Sequence, residues 1–357
     1  MLKIYMSLND LRIGYVPYSL DLTAAADRRR FPYFSKRNQI EFEIADIEKE
    51  YDIILLTALS NLSVWLTYKK KHPNTHFIFE MVDSLILTSD LLRTVFKGPG
   101  RYLLGKESRF YFDYRNPIQK WIRIADAVIC SSEEIKKIII DKNKNVFISL
   151  DYMQGEVKKT KKDFSQQGKL KLVWEGQGVV LPHLLEFKEH FRKINSFCEL
   201  HVITDEFIPK FGNLKKTDTR KVLDKLPIET FFHKWEIYKN FEELIKFDCG
   251  IIPLHKKNQF GWHKPANKLI SFWFCGMPTL TSGTPAYKLI MDKVGTDWYC
   301  NSEEEWIEKI KRCKAMTTSE RESIASNSRQ FVLSHYSDSA LDKLWYKIFD
   351  NIQNIHH

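Results

Sequence analysis

Short apolar runs recur along the first half of the chain, and longer amphipathic stretches separate them. The runs are rich in β-branched and aromatic residues, which is typical of strands buried on both faces of a parallel sheet. They predict strands at 11–16, 52–57, 76–81, 126–130 and 146–149. A capping-box pattern from Ser131 to Glu134 predicts the start of a helix between two of these strands. The alternation predicts an α/β domain with a doubly wound parallel sheet.

The same alternation restarts in the second half of the chain, after a polar and lysine-rich stretch that predicts a linker. Its apolar runs predict strands at 169–174, 199–204, 229–232, 247–253 and 278–281. Capping boxes that begin at Ser302 and Thr317 predict two late helices, and the segment 339–352 carries one apolar face at helical spacing. We therefore predict two tandem Rossmann-like domains, at 1–157 and 169–336, with a linker at 158–168 between them. A terminal helix is predicted at 337–357.

The composition fits two globular domains and excludes several other classes of protein. The chain has 357 residues, of which 43% are hydrophobic and 13% aromatic, so it can bury large cores and is not globally disordered. Its six cysteines are widely spaced, which favours buried free thiols over a disulfide framework or a zinc site. No apolar run approaches the roughly 20 residues of a membrane span, and the first residues do not resemble a signal peptide. These features predict a cytoplasmic protein.

The net charge changes the expected partners. It is +10 at pH 7, which favours nucleotides, nucleic acid or an anionic membrane face. A soluble protein with a lysine-rich surface is the alternative interpretation of the same charge.

Candidate binding residues follow the predicted strands of the second half. In doubly wound sheets, ligands bind beyond the carboxyl ends of the strands. Glycines there allow the backbone to approach a ligand, a lysine can reach a phosphate, and an indole can stack on a base. The candidates after the strands at 169–174 and 229–232 are Gly176, Gln177, Gly178, Lys234 and Trp235. A plain tight turn and a surface tryptophan that packs a loop are the alternatives.

The segment 259–282 holds the densest set of candidates. A polar, cationic loop leads into a helix that Pro265 can start and Gly276 can end, and an apolar strand follows. The free N–H groups and the positive dipole end of that helix would face a bound phosphate. The polar side chains around the helix start are His263, Lys264, Asn267 and Lys268. They predict a phosphate site, and a surface helix with incidental lysines is the alternative.

Two groups of charged residues follow predicted strands of the first half. Arg28, Arg29 and Arg30 open a predicted helix and are candidates for holding an anionic acceptor or a pyrophosphate. The alternatives are snorkelling on a helix face and contact with anionic lipid. Asp83 is a candidate for positioning an acceptor or acting as a base, with a helix N-cap as the alternative. No H-E-x-x-H, G-x-S-x-G or P-loop pattern occurs. Because Asp83-Ser84 is not a D-x-D-like loop that would hold Mg²⁺, we expect a metal-independent site.

Four stretches resemble motifs of one enzyme family and occur in that family's order. The segment 27–31 resembles a D-R-R-R-F entry, and 126–132 resembles an A-D-x-V-I-x-x-S strand and cap. The segment 248–254 resembles a D-x-G-L-x-P strand, and 272–279 resembles an E-A-M-A-x-G-x-P-V helix and strand. The family is that of the GT-B glycosyltransferases, especially bacterial surface-polysaccharide enzymes similar to family 4.

The resemblance implies a GT-B architecture with a terminal helix that crosses back onto the N-terminal domain. It implies that the C-terminal domain binds a nucleotide sugar, that the N-terminal domain binds the acceptor, and that chemistry occurs in the cleft between them. The expected acceptor is a glycan or a lipid-linked glycan of capsule, lipopolysaccharide or O-antigen synthesis, handled in the cytoplasm or at the inner membrane face. No cofactor, metal or nucleic acid is expected beside the nucleotide sugar.

We infer from the residues themselves, rather than from the family's pattern, that Lys264 and Lys268 would stabilise the leaving diphosphate. The acceptor side would comprise Asp27, Arg28, Arg30 and Asp83. The family's paired glutamates, spaced E-x7-E, fall at His263 and Ser271, neither of which is acidic. A nucleotide-sugar epimerase of similar fold is the first alternative, and the departure leaves open a second, an inactive scaffold. A nucleic-acid binder, the third alternative, has no RNP, KH or zinc-finger signature here.

Overall fold

The computed structural model describes residues 8–82, 98–210, 215–237, 239–257 and 259–353. The chain divides into two compact units. Unit 1 combines Met1–Tyr152 with Ser339–His357, and unit 2 is Met153–Asp338. Each unit contains one six-stranded parallel sheet, which confirms the predicted α/β class with two Rossmann-like domains.

The sheet of unit 1 is parallel throughout and has the strand order β2-β1-β3-β4-β5-β6. Its strands are β1 (Ile13–Val16), β2 (Glu43–Ile44), β3 (Ile53–Thr57), β4 (His76–Glu80), β5 (Ala127–Cys130) and β6 (Val146–Ile148). All predicted strands of the first half are present. The pattern missed β2, because this edge strand is two residues long and neither residue is buried.

Helices cover both faces of this sheet. They are α1 (Ala25–Arg29), α2 (Phe31–Asn38), α3 (Leu62–Lys71), α4 (Arg115–Ile124) and α5 (Glu133–Ile139). Trp65 of α3 and Trp121 of α4 are buried in one core layer against Phe77 and Phe79 of β4. The helix predicted from the pattern at Ser131–Glu134 is present, but its N-cap is Ser132 rather than Ser131: the Ser132 side chain accepts a hydrogen bond from the Ile135 N–H at 3.3 Å.

The main sheet of unit 2 has the parallel order β11-β8-β7-β12-β13-β14. Its strands are β7 (Leu170–Glu175), β8 (Cys198–Thr204), β11 (Thr230–Lys234), β12 (Cys249–Ile252), β13 (Thr279–Ser282) and β14 (Tyr299–Cys300), and a separate antiparallel hairpin comprises β9 (Phe207–Lys210) and β10 (Lys215–Asp218). Counted within the sheet, this order is that of a Rossmann fold, whose direction reverses between β7 and β12. The sequence pattern missed β9, β10 and β14.

The helices of unit 2 surround its sheet. They are α6 (Leu181–Leu185), α7 (Lys188–Ile194), α8 (Thr219–Leu223), α9 (Asn240–Leu244), α10 (Gln259–Trp262), α11 (Asn267–Phe274), α12 (Pro285–Val294), α13 (Glu303–Ala315) and α14 (Thr318–His335). Thr317 and Glu320 form the predicted reciprocal capping box at the start of α14. Ser302 caps α13 as predicted, but Glu305 accepts from the Asn301 N–H at 2.9 Å rather than closing the box.

The stretch predicted as a linker contains no helix or strand and is packed within unit 2. Lys161 is buried, its backbone N–H donates to the Cys275 carbonyl, and its ammonium donates to the Phe247 carbonyl at 2.8 Å. Burial lowers the pKa of this lysine. One lysine of this lysine-rich stretch is therefore an interior residue, and its hydrogen bonds fix the stretch to the rest of unit 2. All six cysteines are buried free thiols, as predicted.

The last described helix, α15 (Asp338–Gln353), belongs to the core of unit 1. The Trp345 ring lies 5.6 Å from Phe34 of α2 in a stacked arrangement, and Phe349 lies 6.1 Å from Phe31. Trp345 and Phe349 are both fully buried. A segment at the far end of the chain thus completes the second core layer of unit 1.

A pair of histidines joins the edge strand β11 to β8 in unit 2. His201 Nδ1 and His233 Nε2 are 3.0 Å apart, so one ring donates and the other accepts. His201 Nε2 also lies 3.0 Å from Glu199, and His233 Nδ1 lies 3.3 Å from Glu243. Burial lowers the pKa of both histidines, and the positive charges of Lys171 and Lys246 act in the same direction.

We expect this pair to make unit 2 less stable in mild acid. Because both folded-state pKa values lie below the ordinary 6.5, the unfolded chain binds more protons below that pH and the free energy of unfolding falls. The loss sets in below about pH 6.5 and grows as the pH falls further. Urea denaturation at a series of pH values measures the free energy of unfolding. We expect His201→Phe to flatten its dependence on pH, and His255→Gln, at an exposed position, to leave that dependence unchanged. An equally steep profile in His201→Phe would contradict the assignment.

Candidate functional site

The carboxyl end of β7 lies at the reversal of strand order in unit 2, where doubly wound sheets bind ligands. Glu175, the last residue of β7, receives two side chains from other loops. Trp235 Nε1 donates to Glu175 Oε1 at 3.0 Å, and Lys268 Nζ lies 3.3 Å from Glu175 Oε2. Lys268 also donates to the Glu175 carbonyl oxygen and lies 5.3 Å from the centre of the Trp174 ring. We call these four residues, Trp174, Glu175, Trp235 and Lys268, the β7-end cluster.

Backbone contacts fix the neighbouring loops around this cluster. The Gly178 N–H donates to Asp205 Oδ2 at 2.7 Å, which ties the loop after β7 to the loop after β8. The Trp235 N–H donates to the Thr204 carbonyl at 2.8 Å, which ties the loop after β11 to the end of β8. The loops after three adjacent strands therefore share one hydrogen-bonded framework.

Helix α11 directs its N-terminus to the same region through Lys268 in its first turn. It begins at Asn267, two residues later than the predicted start at Pro265, and its N-cap Ala266 makes no side-chain cap. Gly276 ends the helix as predicted, with a left-handed φ of 72°. The Gly276 and Met277 N–H groups donate to the carbonyls of Trp273 and Phe272, each at 3.0 Å, as in a Schellman motif.

The structure brings together only part of the predicted donor set. Gly176, Gly178, Trp235 and Lys268 adjoin the cluster, whereas exposed Gln177 caps the short 3-10 helix Gly178–Val180. Lys234 is 62% exposed at its side chain and lies 3.7 Å from Glu206, away from Glu175. His263 and Lys264 are half-buried in the loop before α11, where the Lys264 N–H donates to the Gly261 carbonyl, and Asn267 is the first residue of α11.

Asp27, predicted on the acceptor side, is instead an interior residue of unit 1. Its carboxylate accepts hydrogen bonds from the Tyr15 hydroxyl at 2.6 Å and from the Tyr18 and Ser19 N–H groups at 2.9 Å each. The Ser19 hydroxyl is a fourth donor. With its oxygens occupied and its side chain buried, Asp27 organises the loop after β1 rather than contacting a ligand.

Arg30 is likewise fully buried, which corrects its predicted contact with an acceptor. Its Nε donates to Glu80 Oε1 at 2.7 Å, its Nη1 to Asp151 Oδ1 at 3.1 Å, and its Nη2 to the Ser149 carbonyl at 3.1 Å. Arg28 remains half-exposed, and its Nε donates to the Thr23 carbonyl at 3.2 Å. Asp83 lies outside the described residues.

Two carboxylates of the site were absent from the predicted set. Glu175 and Asp205 each follow directly on the buried part of a strand, and both accept hydrogen bonds that position other loops. The signal that could have found them is an acidic residue at the ends of two adjacent strands. Within the described ranges, no three His, Cys, Asp or Glu side chains converge to hold a metal ion. In the same ranges, no helix has the length and apolar character that crossing a membrane requires.

We expect Gly176→Ala to weaken ligand binding at this cluster. A Cβ atom there would lie 2.8 Å from two carbons of the Trp174 ring and 3.1 Å from Lys268 Nζ, so the ring and the ammonium must shift. Overpacking of this size predicts roughly tenfold weaker binding of a nucleoside diphosphate by calorimetry. Gly100→Ala is the matched control, because a Cβ there meets no atom within 4 Å. Equal affinities of the two variants would contradict the close approach.

The chain has two α/β units, each with a six-stranded parallel sheet, and the sheet of unit 2 has the Rossmann strand order. The last described helix packs in unit 1. This combination defines the GT-B fold of glycosyltransferases. Solved structures share it. HepE from Anabaena in complex with UDP has a TM-score of 0.65 at 12% identity, covering 95% of this chain and 99% of HepE. A glycosyltransferase from Rickettsia africae has a TM-score of 0.60 at 10% identity, covering 96% and 98%.

TarM has a TM-score of 0.57 at 11% identity over 83% of this chain. The chain spans about half the length of TarM, since the match covers 54% of that protein. No protein-family model and no curated protein matches the chain. At these identities the likeness establishes the fold.

Proposed function

We propose that this protein is a glycosyltransferase that takes its sugar from a nucleotide sugar bound at the β7-end cluster. The observation that carries the proposal is Lys268, whose ammonium stands at the strand-order reversal of a Rossmann sheet, in the first turn of α11. A cation and the N-terminus of a helix at one place are suited to a diphosphate. The structure of HepE in complex with UDP-glucose, which shares the fold, supports a uridine nucleotide as the first donor to test.

The chemistry follows from charge development on the leaving group. As the bond between sugar and diphosphate breaks, negative charge grows on the diphosphate oxygens. Lys268, Lys264, the Asn267 side chain and the first N–H groups of α11 would stabilise that charge without a metal. Trp235 is suited to stack on the base, with Glu175 holding its indole nitrogen.

The acceptor side of the proposal belongs to unit 1. With Asp27 and Arg30 in the interior, the remaining acceptor candidates from the sequence are Arg28 and Asp83. We propose a glycan or lipid-linked acceptor of bacterial surface-polysaccharide synthesis, handled in the cytoplasm at an anionic inner membrane face. The net charge of +10 supports this location.

A thermal-shift panel tests the donor site. The ligands are UDP, GDP, ADP, dTDP and CMP, each with and without EDTA. A nucleotide at about 100 times its dissociation constant adds about 2.7 kcal/mol, which raises the Tm by several degrees. We expect one nucleotide, UDP, to act selectively and to be insensitive to EDTA. The absence of a shift with every nucleotide at millimolar concentration would contradict the proposal, and loss of the shift in EDTA would contradict metal independence.

A binding protein without transferase activity is the second candidate. Two observations favour it: His263 and Ser271 stand where the resembling enzymes carry glutamates, and Glu175 already neutralises Lys268. Incubation with radiolabelled UDP-sugars separates the candidates. Release of UDP supports a transferase, conversion of the sugar nucleotide without an acceptor supports an epimerase, and binding without turnover supports the scaffold.

A further inference from the structure

Unit 1 presents a strongly apolar surface between residues 102 and 112. Leu103 is 82% exposed, Leu104 72% and Phe112 72%, and Tyr102 and Phe110 are each nearly half-exposed. The Phe110 ring lies 5.7 Å from Tyr102 and 4.9 Å from Phe112, both edge to face, so the aromatic side chains are contiguous. We call these five residues the 102–112 surface. Contiguous exposed apolar side chains of this kind mark interaction sites.

Hydrogen bonds of a buried arginine fix the orientation of this segment. Arg101, which is buried, donates from Nη2 to the carbonyls of Leu59 at 2.8 Å and Ser60 at 2.7 Å, and to that of Lys106 at 3.1 Å. Its guanidinium also lies 4.6 Å from the Tyr114 ring centre. The segment therefore directs a charged side chain inward while its leucines point to solvent.

A buried carboxylate forms a second set of hydrogen bonds within the same segment. Glu107 is 2% exposed and accepts hydrogen bonds from the Leu62 and Ser63 N–H groups, each at 3.1 Å, at the start of α3. The Ser63 hydroxyl adds a third bond at 2.7 Å. Turning the leucines inward would break both sets of hydrogen bonds and leave buried charges unpaired, so the outward apolar face is built into the fold.

In the described stretch 98–115, the exposed charged side chains have one sign. Lys106 and Arg109 are exposed, whereas the carboxylate of Glu107 is buried. Asp113, the next carboxylate, is neutralised by Arg115 at 2.6 Å. An apolar tip flanked by unpaired positive charge complements an anionic lipid surface, where leucines and aromatics enter the boundary between headgroups and acyl chains.

We propose that the 102–112 surface docks unit 1 onto a bilayer that contains anionic phospholipid. This docking extends the proposal of a lipid-linked acceptor, and its biological role rests on that proposed function. Vesicle binding is measured without donor or acceptor, so its failure leaves the nucleotide-site proposal untouched.

Co-sedimentation of the full chain with vesicles tests the docking. We expect binding to phosphatidylcholine vesicles that contain phosphatidylglycerol, and little binding to phosphatidylcholine alone. The double variant Leu103→Ser/Leu104→Ser should partition roughly tenfold more weakly, because two exposed leucines no longer enter the bilayer. Its Tm should match the wild type, since neither side chain packs in the core. Leu20→Ser, at an 84% exposed position of the same unit, is the matched control and should bind as the wild type does.

The charge contribution has its own variant. Lys106→Gln/Arg109→Gln should lose roughly tenfold in binding to anionic vesicles and little to neutral ones, because each basic residue near such a surface contributes to attraction. Failure of the wild type to sediment with anionic vesicles would overturn the proposal, as would undiminished binding by the double leucine variant. Concentration-dependent dimers that Leu103→Ser/Leu104→Ser abolishes, without vesicle binding, would assign the surface to a second copy instead and also overturn it.

Discussion

Replacing Arg30 with alanine should lower the free energy of unfolding by about 3–5 kcal/mol, the range observed when one partner of a buried ion pair is removed. The guanidinium is fully buried and bonds to Glu80, Asp151 and the Ser149 carbonyl. Burial raises the pKa of Glu80, and Arg30 is the main opposing influence. Without Arg30, the Glu80 carboxylate would remain in the interior without the cation that opposes the effect of its burial.

Urea denaturation measures this effect, and a neighbouring arginine provides the control. Arg28→Ala should change the free energy of unfolding by no more than about 0.5 kcal/mol, because its side chain is half-exposed, whereas that of Arg30 is fully buried. The pair of variants separates a structural role from a binding role. A fully stable Arg30→Ala protein that has lost transfer activity would return Arg30 to the acceptor site.

Lys268→Ala should weaken binding of UDP by about 10–150-fold, which corresponds to the 1.5–3 kcal/mol of a hydrogen bond to a charged group. The variant removes the ammonium above Trp174 and leaves the Glu175 carboxylate without its cation. The uncompensated carboxylate would then repel the diphosphate, so both changes act in the same direction. Isothermal titration calorimetry measures the affinity directly.

Comparison with a second lysine and a second ligand localises the effect. Lys234→Ala should change UDP affinity less than twofold, because the structure places this lysine beside Glu206 rather than Glu175. Uridine, which lacks phosphates, should bind Lys268→Ala and the wild type alike. Equal losses for uridine and UDP would indicate that the variant disturbs the whole cluster rather than a phosphate contact.

The fold was predictable where local patterns decide it. The runs at 52–57, 76–81 and 126–130 became central strands in which every residue but His76 is buried, because an apolar segment between turns has few other ways to bury itself. Two-residue edge strands such as β2 and β14 carry no comparable signal, since pairing with a neighbour rather than composition defines them. The β9–β10 hairpin was missed because β9 is short and contains a proline, and β10 has no apolar residue.

The candidate site was predictable in outline only. Residues after strands and at the start of α11 were found because sheet topology brings such positions together. Arg30 was misassigned because its burial depends on Glu80 and Asp151, which lie 50 and 121 positions away along the chain. Glu175 was passed over for a related reason, since its partners Trp235 and Lys268 lie 60 and 93 positions away. Such long-range partners decide whether a charged side chain anchors the interior or faces a ligand.

The position of α15 in the core of unit 1 also determines the order in which the protein can fold during synthesis. At about 5–20 residues per second, a ribosome takes roughly 10–40 s to make the residues 153–338 that separate unit 1 from its last helix. Throughout that time Phe31 and Phe34 lack the aromatic partners that Trp345 and Phe349 supply. Unit 2, whose chain is continuous, is able to fold first. The nascent first unit is therefore the part of this protein that most needs protection by chaperones.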